Sequence, residues 1–591
     1  MAIFDPHSHA DDQEPFTQHI ELELRVDFES KRLAGKARLQ LDRPATGSLC
    51  LDTGKLEIRA AEDHQGKPVA FAVEPGDPIR GPRLRLALHG AEVTIHYQTA
   101  PGATALQWLD PAQTADGQSP YVFTQCQSIH ARSVFPCQDS PRVRTRFHVK
   151  LDVPRALEAV MAAKAIGRTE QGERAVAEFR MEQPIPPYLF AFAVGAIGYQ
   201  DLGPRSRVYA EKPLLAAAAY EFAEVDAMIL AAEGLFGPYD WERFDLLVMP
   251  PSFPFGGMEN PRLTFLTPTL LAGDRSLVNV LGHELAHSWT GNLITNATMN
   301  DFWLNEGFTT YAERRILEVL EGKDEVQLQL VLGLRGLESD VARFKDRPEL
   351  TRLRTTLEGL DPDEVYSRIP YEKGCFFLLR LEEIVGRPVF DRFLKAYIQT
   401  FRFQSIDTTT FLRFLDEALP EARGKIDLAA WIDGPGLPSD APRPRSALLE
   451  KVELAVKACE QGQIPATDNG FSASEWQVFL SLLPRKLPLP VCEALEGRFH
   501  FSESKNAEIR IGWLTIAACS GYTAVFPAAR TALLSIGRMK YLRPLYLGLL
   551  SAGARPLAEA TFAEAEKRYH PVAQAVIGAL LKSKTTEEPR T

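Results

Sequence analysis

The stretch Gly282-His-Glu-Leu-Ala-His-Ser-Trp-Thr-Gly-Asn292, GHELAHSWTGN, places two of the chain's twelve histidines four residues apart, with a glutamate beside the first. On a helix, residues i and i+4 share a face, so His283 and His287 aim their imidazoles at a common point. That is the geometry of a metal site. In the pattern His-Glu-x-x-His two neutral imidazoles hold zinc, and the glutamate, about 100° round the helix, reaches the attacking water. A helical histidine pair without a metal is the competing reading of these residues alone, so a third ligand is needed.

The stretch Asn300 to Arg315, NDFWLNEGFTTYAERR, reads as a second helix, and the interruption at Thr290-Gly-Asn292 lets it fold back beside the first. Glu306 could then complete the shell. Two imidazoles and one carboxylate leave a coordination position open, as in catalytic sites; structural zinc is usually closed by four protein ligands. Non-haem iron uses the same ligand set. Glu284 favours zinc, because a hydrolase needs a general base there and an iron oxygenase has no evident use for one. Glu313, two turns beyond Glu306, could orient a ligand histidine, although an ordinary solvent-facing glutamate is the preferred reading.

At 591 residues the chain is too long for one core and should divide into several domains. A hydrophobic content of 45% with 24% charged residues is that of a folded protein. The net charge of −11 argues against a broad nucleic-acid or anionic-membrane surface. The N-terminal residues MAIFDPHSHADDQEP lack the basic flank and apolar run of a secretory signal. The longest apolar run, Tyr188 to Ile197, is about half of what a bilayer span needs and reads as a buried strand or domain junction. Seven scattered cysteines without metal-type spacing fit reduced thiols in a cytoplasm. A cytoplasmic monomer with no membrane span is expected.

Ile20, Leu22, Leu24, Val26 and Phe28 alternate with polar residues, and Leu84, Leu86 and Leu88 repeat the pattern, so residues 1–198 read as an antiparallel β domain. Residues 199–433 read as a mixed, helix-dominated catalytic domain, with a helical pattern from Leu214 to Phe236 and a strand from Phe244 to Met249. Residues 434–445 are a Pro-rich linker. Residues 446–591 hold only helical pieces, including Ala447–Gln461, Ser474–Leu483 and Ile509–Ala518, which suit a solenoid of helix pairs. The fold class is multidomain α+β.

Phe253-Pro-Phe-Gly-Gly-Met-Glu-Asn-Pro261 follows that strand, and its prolines confine it to a sheet edge where an extended peptide could pair. Taken alone, it reads first as a Gly-Gly turn with a surface glutamate.

HELAHSWTGN, the eighteen-residue gap from His287 to Glu306 within NDFWLNEGFTTY, and PPSFPFGGMENP resemble the leukotriene A4 hydrolase and aminopeptidase branch of the gluzincin zinc aminopeptidases. Tyr121 to Gln127 (YVFTQCQ), Asp361 to Lys373 (DPDEVYSRIPYEK) and Gly537 to Lys540 (GRMK) carry the likeness across the whole chain. The resemblance implies a thermolysin-like catalytic domain with one zinc ion held by His283, His287 and Glu306. Glu284 would activate water and Tyr371 would donate to the oxyanion. Glu259, helped by Gln127, would bind the substrate's α-ammonium beside Gly256, Gly257 and Met258. Arg538 and Lys540 would take the carboxylate end of a short peptide or fatty acid; from sequence alone, two basic residues on a late helix read as a solvated face. Asp363 would favour an N-terminal arginine and, with Tyr366, serve epoxide hydrolysis; without the resemblance, Asp361-Pro-Asp363 reads as a turn.

Two departures stand out. Phe255 replaces the family's usual tyrosine, and Asn300 an expected aspartate. Both bear on side-chain preference and lipid handling and leave the zinc chemistry untouched. The expected activity is zinc-dependent removal of N-terminal residues from short peptides with a free N-terminus. The alternatives are epoxide hydrolysis of a leukotriene A4-like lipid in the same cavity, or a peptide-binding scaffold with a vestigial site.

Overall fold

The computed structural model describes residues 4–277, 279–465 and 470–583. The N-terminal part is built on a seven-stranded sheet ordered Lys164–Gln171, Arg174–Ile185, Thr145–Pro154, Thr17–Asp27, Arg32–Thr46, His89–Gln98, Glu57–Asp63. Strand Thr17–Asp27 buries Ile20, Leu22, Leu24 and Val26, as the alternation predicts. The sheet is mostly antiparallel, as expected, with one exception. Thr17–Asp27 and Thr145–Pro154 run parallel, with Ile20 opposite Phe147 and Leu22 opposite Val149. Alternation reports which face is buried and is silent on strand direction.

A four-stranded sheet, Glu158–Met161, Phe192–Gly195, Tyr121–Thr124 and Leu106–Leu109, lies beside it. Strand Phe192–Gly195 comes from the long apolar run and is fully buried, so that run is core. Strand Tyr121–Thr124 leads directly into Gln127.

The middle of the chain carries a five-stranded sheet ordered Ile197–Asp201, Arg207–Glu211, Asp245–Val248, Leu263–Leu266, Gly257–Met258. Gly257–Met258 is an edge strand, antiparallel to Leu263–Leu266. The helical pattern of Leu214 to Phe236 resolves into two helices, Lys212–Glu221 and Val225–Phe236. No glycine or proline marks the break. The buried Glu221 carboxylate accepts a hydrogen bond from Gly273 N at 2.8 Å, a tertiary tie that local spacing does not reveal.

Helix Trp303–Glu321 is buried continuously from Trp303 to Leu317. It crosses helix Ile369–Val385 at Gly307 and Gly374, where a Cβ on Gly307 would lie 2.7 Å from the Gly374 Cα. Only two glycines permit so close an approach, and it brings Glu306 and Tyr371 to the same end of the crossing.

Among the described residues beyond 446 there are helices and no strands, beginning Ala447–Glu460, Ala473–Leu482 and Leu489–Phe499 and ending Pro571–Lys582. They enclose a core of their own, which takes in Leu328 and Val331 from helix Lys323–Arg343. Among the described residues no helix is long and apolar enough to cross a membrane. All seven cysteines are buried and unpaired.

The helix crossing yields a test. Gly307→Val should cost about 1–3 kcal/mol by overpacking and lower the thermal unfolding midpoint. A midpoint equal to that of the unaltered protein would show that the helices part freely.

Candidate active site

His283 lies in helix Asn279–Ala286, and His287 N donates to His283 O at 3.2 Å, so the second histidine is held one turn on. Their ring centroids stand 4.8 Å apart. Gly291, at φ +129°, lets the chain turn directly against His287, where a Cβ would press on Nδ1.

Each imidazole is oriented through Nδ1. His283 Nδ1 donates to Glu313 Oε2 at 3.0 Å, and His287 Nδ1 to the Thr290 carbonyl at 3.1 Å, with Thr309 Oγ1 at 3.2 Å. Acceptors on both Nδ1 atoms leave the Nε2 lone pairs free. Those atoms lie 3.3 and 3.4 Å from Glu306 Oε2, which is buried and receives no hydrogen bond. An orphaned carboxylate oxygen facing two imidazole nitrogens is a donor set that zinc satisfies. Electrostatics agree. Burial disfavours charge on His283, yet Glu306 and Glu313 outweigh it and raise its pKa well above the ordinary value. Burial likewise opposes ionisation of Glu306, and His287 and His283 override it, holding the carboxyl at about 2. A field that draws protons this strongly also draws a divalent cation.

Glu284 is buried beside edge strand Gly257–Met258, and a Cβ on Gly257 would overlap its carboxylate. Burial, partly offset by His283 and His287, pushes it up to about 7. Glu259, Glu284 and His287 place one ligand-type atom each within 4.8 Å of one another. Glu259 is only 4% exposed, which corrects the reading of GGMEN as a turn with a surface glutamate. Asn292 Nδ2 donates to its backbone oxygen at 2.7 Å, and Gln127 Nε2 to its Oε1 at 3.3 Å. Gln125 Nε2 contacts Met258 Sδ at 3.2 Å, so two glutamines from the N-terminal part grip this strand.

Tyr371 stacks on His283 with ring centroids 6.0 Å apart, and Tyr366 donates to its hydroxyl at 3.3 Å. Asp363 N donates to Asp361 Oδ1 at 2.9 Å, the local turn that Asp361-Pro-Asp363 predicts, while the Asp363 carboxylate meets His130. Asn300 Oδ1 accepts from Leu357 N at 2.9 Å and so braces the loop leading to Asp363. Phe255 packs on Phe253 at 5.7 Å.

Arg538 is buried against Gly256, which corrects the solvated-face reading: its Nη1 donates to the Tyr541 hydroxyl at 3.0 Å. Lys540 remains half-exposed and pairs with Glu508 at 2.5 Å. Sequence reasoning missed Thr309, Asn292, His130, Tyr541 and Glu508, and it undervalued Glu313, which is buried. Glu306, Thr309 and Glu313 sit at i, i+3 and i+7, a spacing that could have revealed one functional face. Glu508 carries no such signal.

Glu313→Gln should weaken zinc affinity about 10- to 100-fold, read by competition with a fluorescent chelator. Unchanged affinity would reduce Glu313 to a packing residue.

Residues 16–189 match the peptidase M1 N-terminal domain, residues 220–431 the peptidase family M1 domain, and residues 471–581 the leukotriene A4 hydrolase C-terminal domain. The chain is 39% identical to the leukotriene A-4 hydrolase of Xenopus laevis over 97% of its own length and 98% of the relative's. It is 36% identical to leucine aminopeptidase 2 of Yarrowia lipolytica, over 94% and 90% of the two chains. The structure of yeast LTA4 hydrolase in complex with bestatin superposes with a TM-score of 0.92 at 33% identity, covering 98% of each chain. With these three matches and the ligand set at its centre, the chain belongs to peptidase family M1, as a zinc metallopeptidase with the leukotriene A4 hydrolase type of C-terminal domain.

Proposed function

We propose that the protein removes N-terminal residues from short peptides, and that His283, His287 and Glu306 hold the zinc ion. The observation that carries this reading is Glu259: a buried carboxylate beside Glu284 and His287, at the end of an edge strand. A carboxylate there finds its counter-charge in a free α-ammonium. A substrate continuing upstream would leave that charge buried and unpaired, so the site favours chain ends.

Bound zinc supplies Lewis acidity toward the scissile carbonyl and toward water. Glu284 takes a proton from the attacking water and passes it to the leaving amine, a task suited to a carboxyl raised by burial. Tyr371 donates its hydroxyl proton toward the developing oxyanion, steadied by Tyr366. The edge strand at Gly257 and Met258 offers backbone pairing to the substrate, and Asp363 stands near its first side chain. Arg538, packed on Gly256, and Lys540 supply positive charge for the far carboxylate of a short peptide. Seven buried, unpaired thiols support a reducing, cytoplasmic setting, and the protein is taken as a monomer.

A second reading, epoxide hydrolysis of a leukotriene A4-like lipid in the same cavity, draws on Asp363, Tyr366 and Tyr371 and on the relative named leukotriene A-4 hydrolase. Incubation with leukotriene A4 tests it, and absence of a dihydroxylated product removes it.

For the aminopeptidase, Glu284→Gln should lower kcat on an aminoacyl anilide roughly a thousandfold. Turnover that persists in this variant would overturn the assigned base. Glu259→Gln should raise KM for free-amine substrates more than about tenfold, and N-acetylated copies should be inert to the unaltered enzyme. Equal cleavage of blocked and free peptides would sink the exopeptidase reading.

A further inference from the structure

The segment Gln127 to His130 touches two acids at once. Gln127 donates to Glu259, while His130 meets Asp363. Residues three apart on one short segment thus hold Glu259 and Asp363, so the two acids border one opening. A first residue whose ammonium rests on Glu259 therefore carries its side chain past Asp363. His130 completes the segment: its Nε2 stands 2.7 Å from Asp363 Oδ2, and its Nδ1 2.9 Å from Thr104 Oγ1.

We propose that His130 is a specificity-determining residue that competes with the substrate's first side chain for Asp363, tempering the preference for basic N-terminal residues. The idea rests on the aminopeptidase reading above.

As imidazolium, His130 and Asp363 form a neutral pair, and an arginine or lysine side chain gains little from meeting it. As neutral imidazole, His130 leaves the Asp363 charge available to a cation. The Asp363 side chain is 45% exposed, so a substrate group can reach it. Three acids act on His130: Asp363 by contact, and Asp139 and Asp361 through space, with Asp139 itself paired to Arg132 at 2.9 Å. Thr104, on the other ring nitrogen, is uncharged: its hydroxyl accepts from Nδ1 of the imidazolium and donates to Nδ1 when the neutral ring keeps its proton on Nε2 toward Asp363. Burial disfavours the imidazolium, but Asp363 outweighs it and the His130 pKa is raised. Burial likewise disfavours charge on Asp363, and His130 and Ser128 override it, so its pKa is lowered and it stays ionised. The sign follows. The pair is intact at low pH and loses its positive member as pH rises through the elevated His130 value.

The test compares kcat/KM for arginyl and leucyl anilides in the zinc-loaded full-length protein. Because both share the same α-ammonium, its titration cancels in the ratio. The unaltered enzyme should favour arginine increasingly as pH rises from about 6 to about 9. His130→Gln, which keeps a donor to Asp363 without charge, should raise the ratio about fivefold at the acid end and flatten its pH dependence. Leucyl turnover should stay close to that of the unaltered enzyme. In an Asp363→Asn background the same substitution should leave the ratio unmoved, which a merely structural role for His130 does not predict. A ratio and pH trend in His130→Gln equal to those of the unaltered enzyme would overturn the proposal. If that variant also loses leucyl turnover, the single Asp363→Asn variant decides, since a persisting pH trend there overturns the idea and its loss supports it. Failure of the unaltered enzyme to cleave either anilide would instead count against the aminopeptidase reading.

Discussion

Three donor atoms must meet at one point, the Nε2 atoms of His283 and His287 and a carboxylate oxygen of Glu306, and much of the surrounding structure serves that meeting. Two imidazoles four residues apart share a face of their helix, but each ring still rotates about its side-chain bonds. What stops rotation is the second helix. Glu306, Thr309 and Glu313 form a stripe along Trp303–Glu321: one end supplies the ligand oxygen, the middle reaches His287 Nδ1, and the far end takes the proton of His283 Nδ1. One helical face thus presents the third candidate ligand and orients both rings. Moving that helix by a fraction of its pitch would disturb all three contacts together.

That constraint explains features that look unrelated to chemistry. The Gly307 to Gly374 crossing lets helix Ile369–Val385 approach closely enough for Tyr371 to stack on His283. Gly257 lies against Glu284 for the same reason, since any side chain there would displace the carboxylate. Arg314 bonds Glu313 at 3.1 Å and Glu372 at 3.1 Å, pinning the two helices together. A buried ion-pair chain of this kind adds little net stability, and its use is to leave the glutamate one orientation.

Much of this was legible in the sequence. The shared face of His283 and His287 follows from helical spacing, the approach of Glu306 from the interruption between two helices, and the edge strand from its prolines. The ends of the three helices bounded from sequence beyond residue 446 fall within one or two residues of Ala447–Glu460, Ala473–Leu482 and Ala507–Cys519, the last two capped by side-chain hydrogen bonds of Ser472 and Asn506. The failures share a physical cause. Glu313 and Arg538 read as surface charges because burial of a charge depends on partners remote in sequence: His283 lies thirty residues away from Glu313, and Gly256 lies in another domain from Arg538. The parallel pairing of Thr17–Asp27 with Thr145–Pro154 and the break after Glu221 are likewise tertiary facts without a local signature.

The division of labour between domains then follows. The central domain alone supplies the candidate metal ligands and the proposed base, but each end of the proposed substrate would be recognised with help from outside it. Gln127 steadies Glu259 from the N-terminal part, while Arg538 approaches Gly256 from the helical part. The latter is fixed by docking at close range: Met539 N donates to Pro254 O at 2.9 Å, and Gly537 packs on Pro251 and Ser252 too tightly for a Cβ. The distance between the two proposed recognition points is therefore set by how three domains pack. A peptide that satisfies both ends must be short, and one that lacks the far carboxylate loses binding energy without losing chemistry. On the proposed reading, substrate length is a property of the domain interfaces.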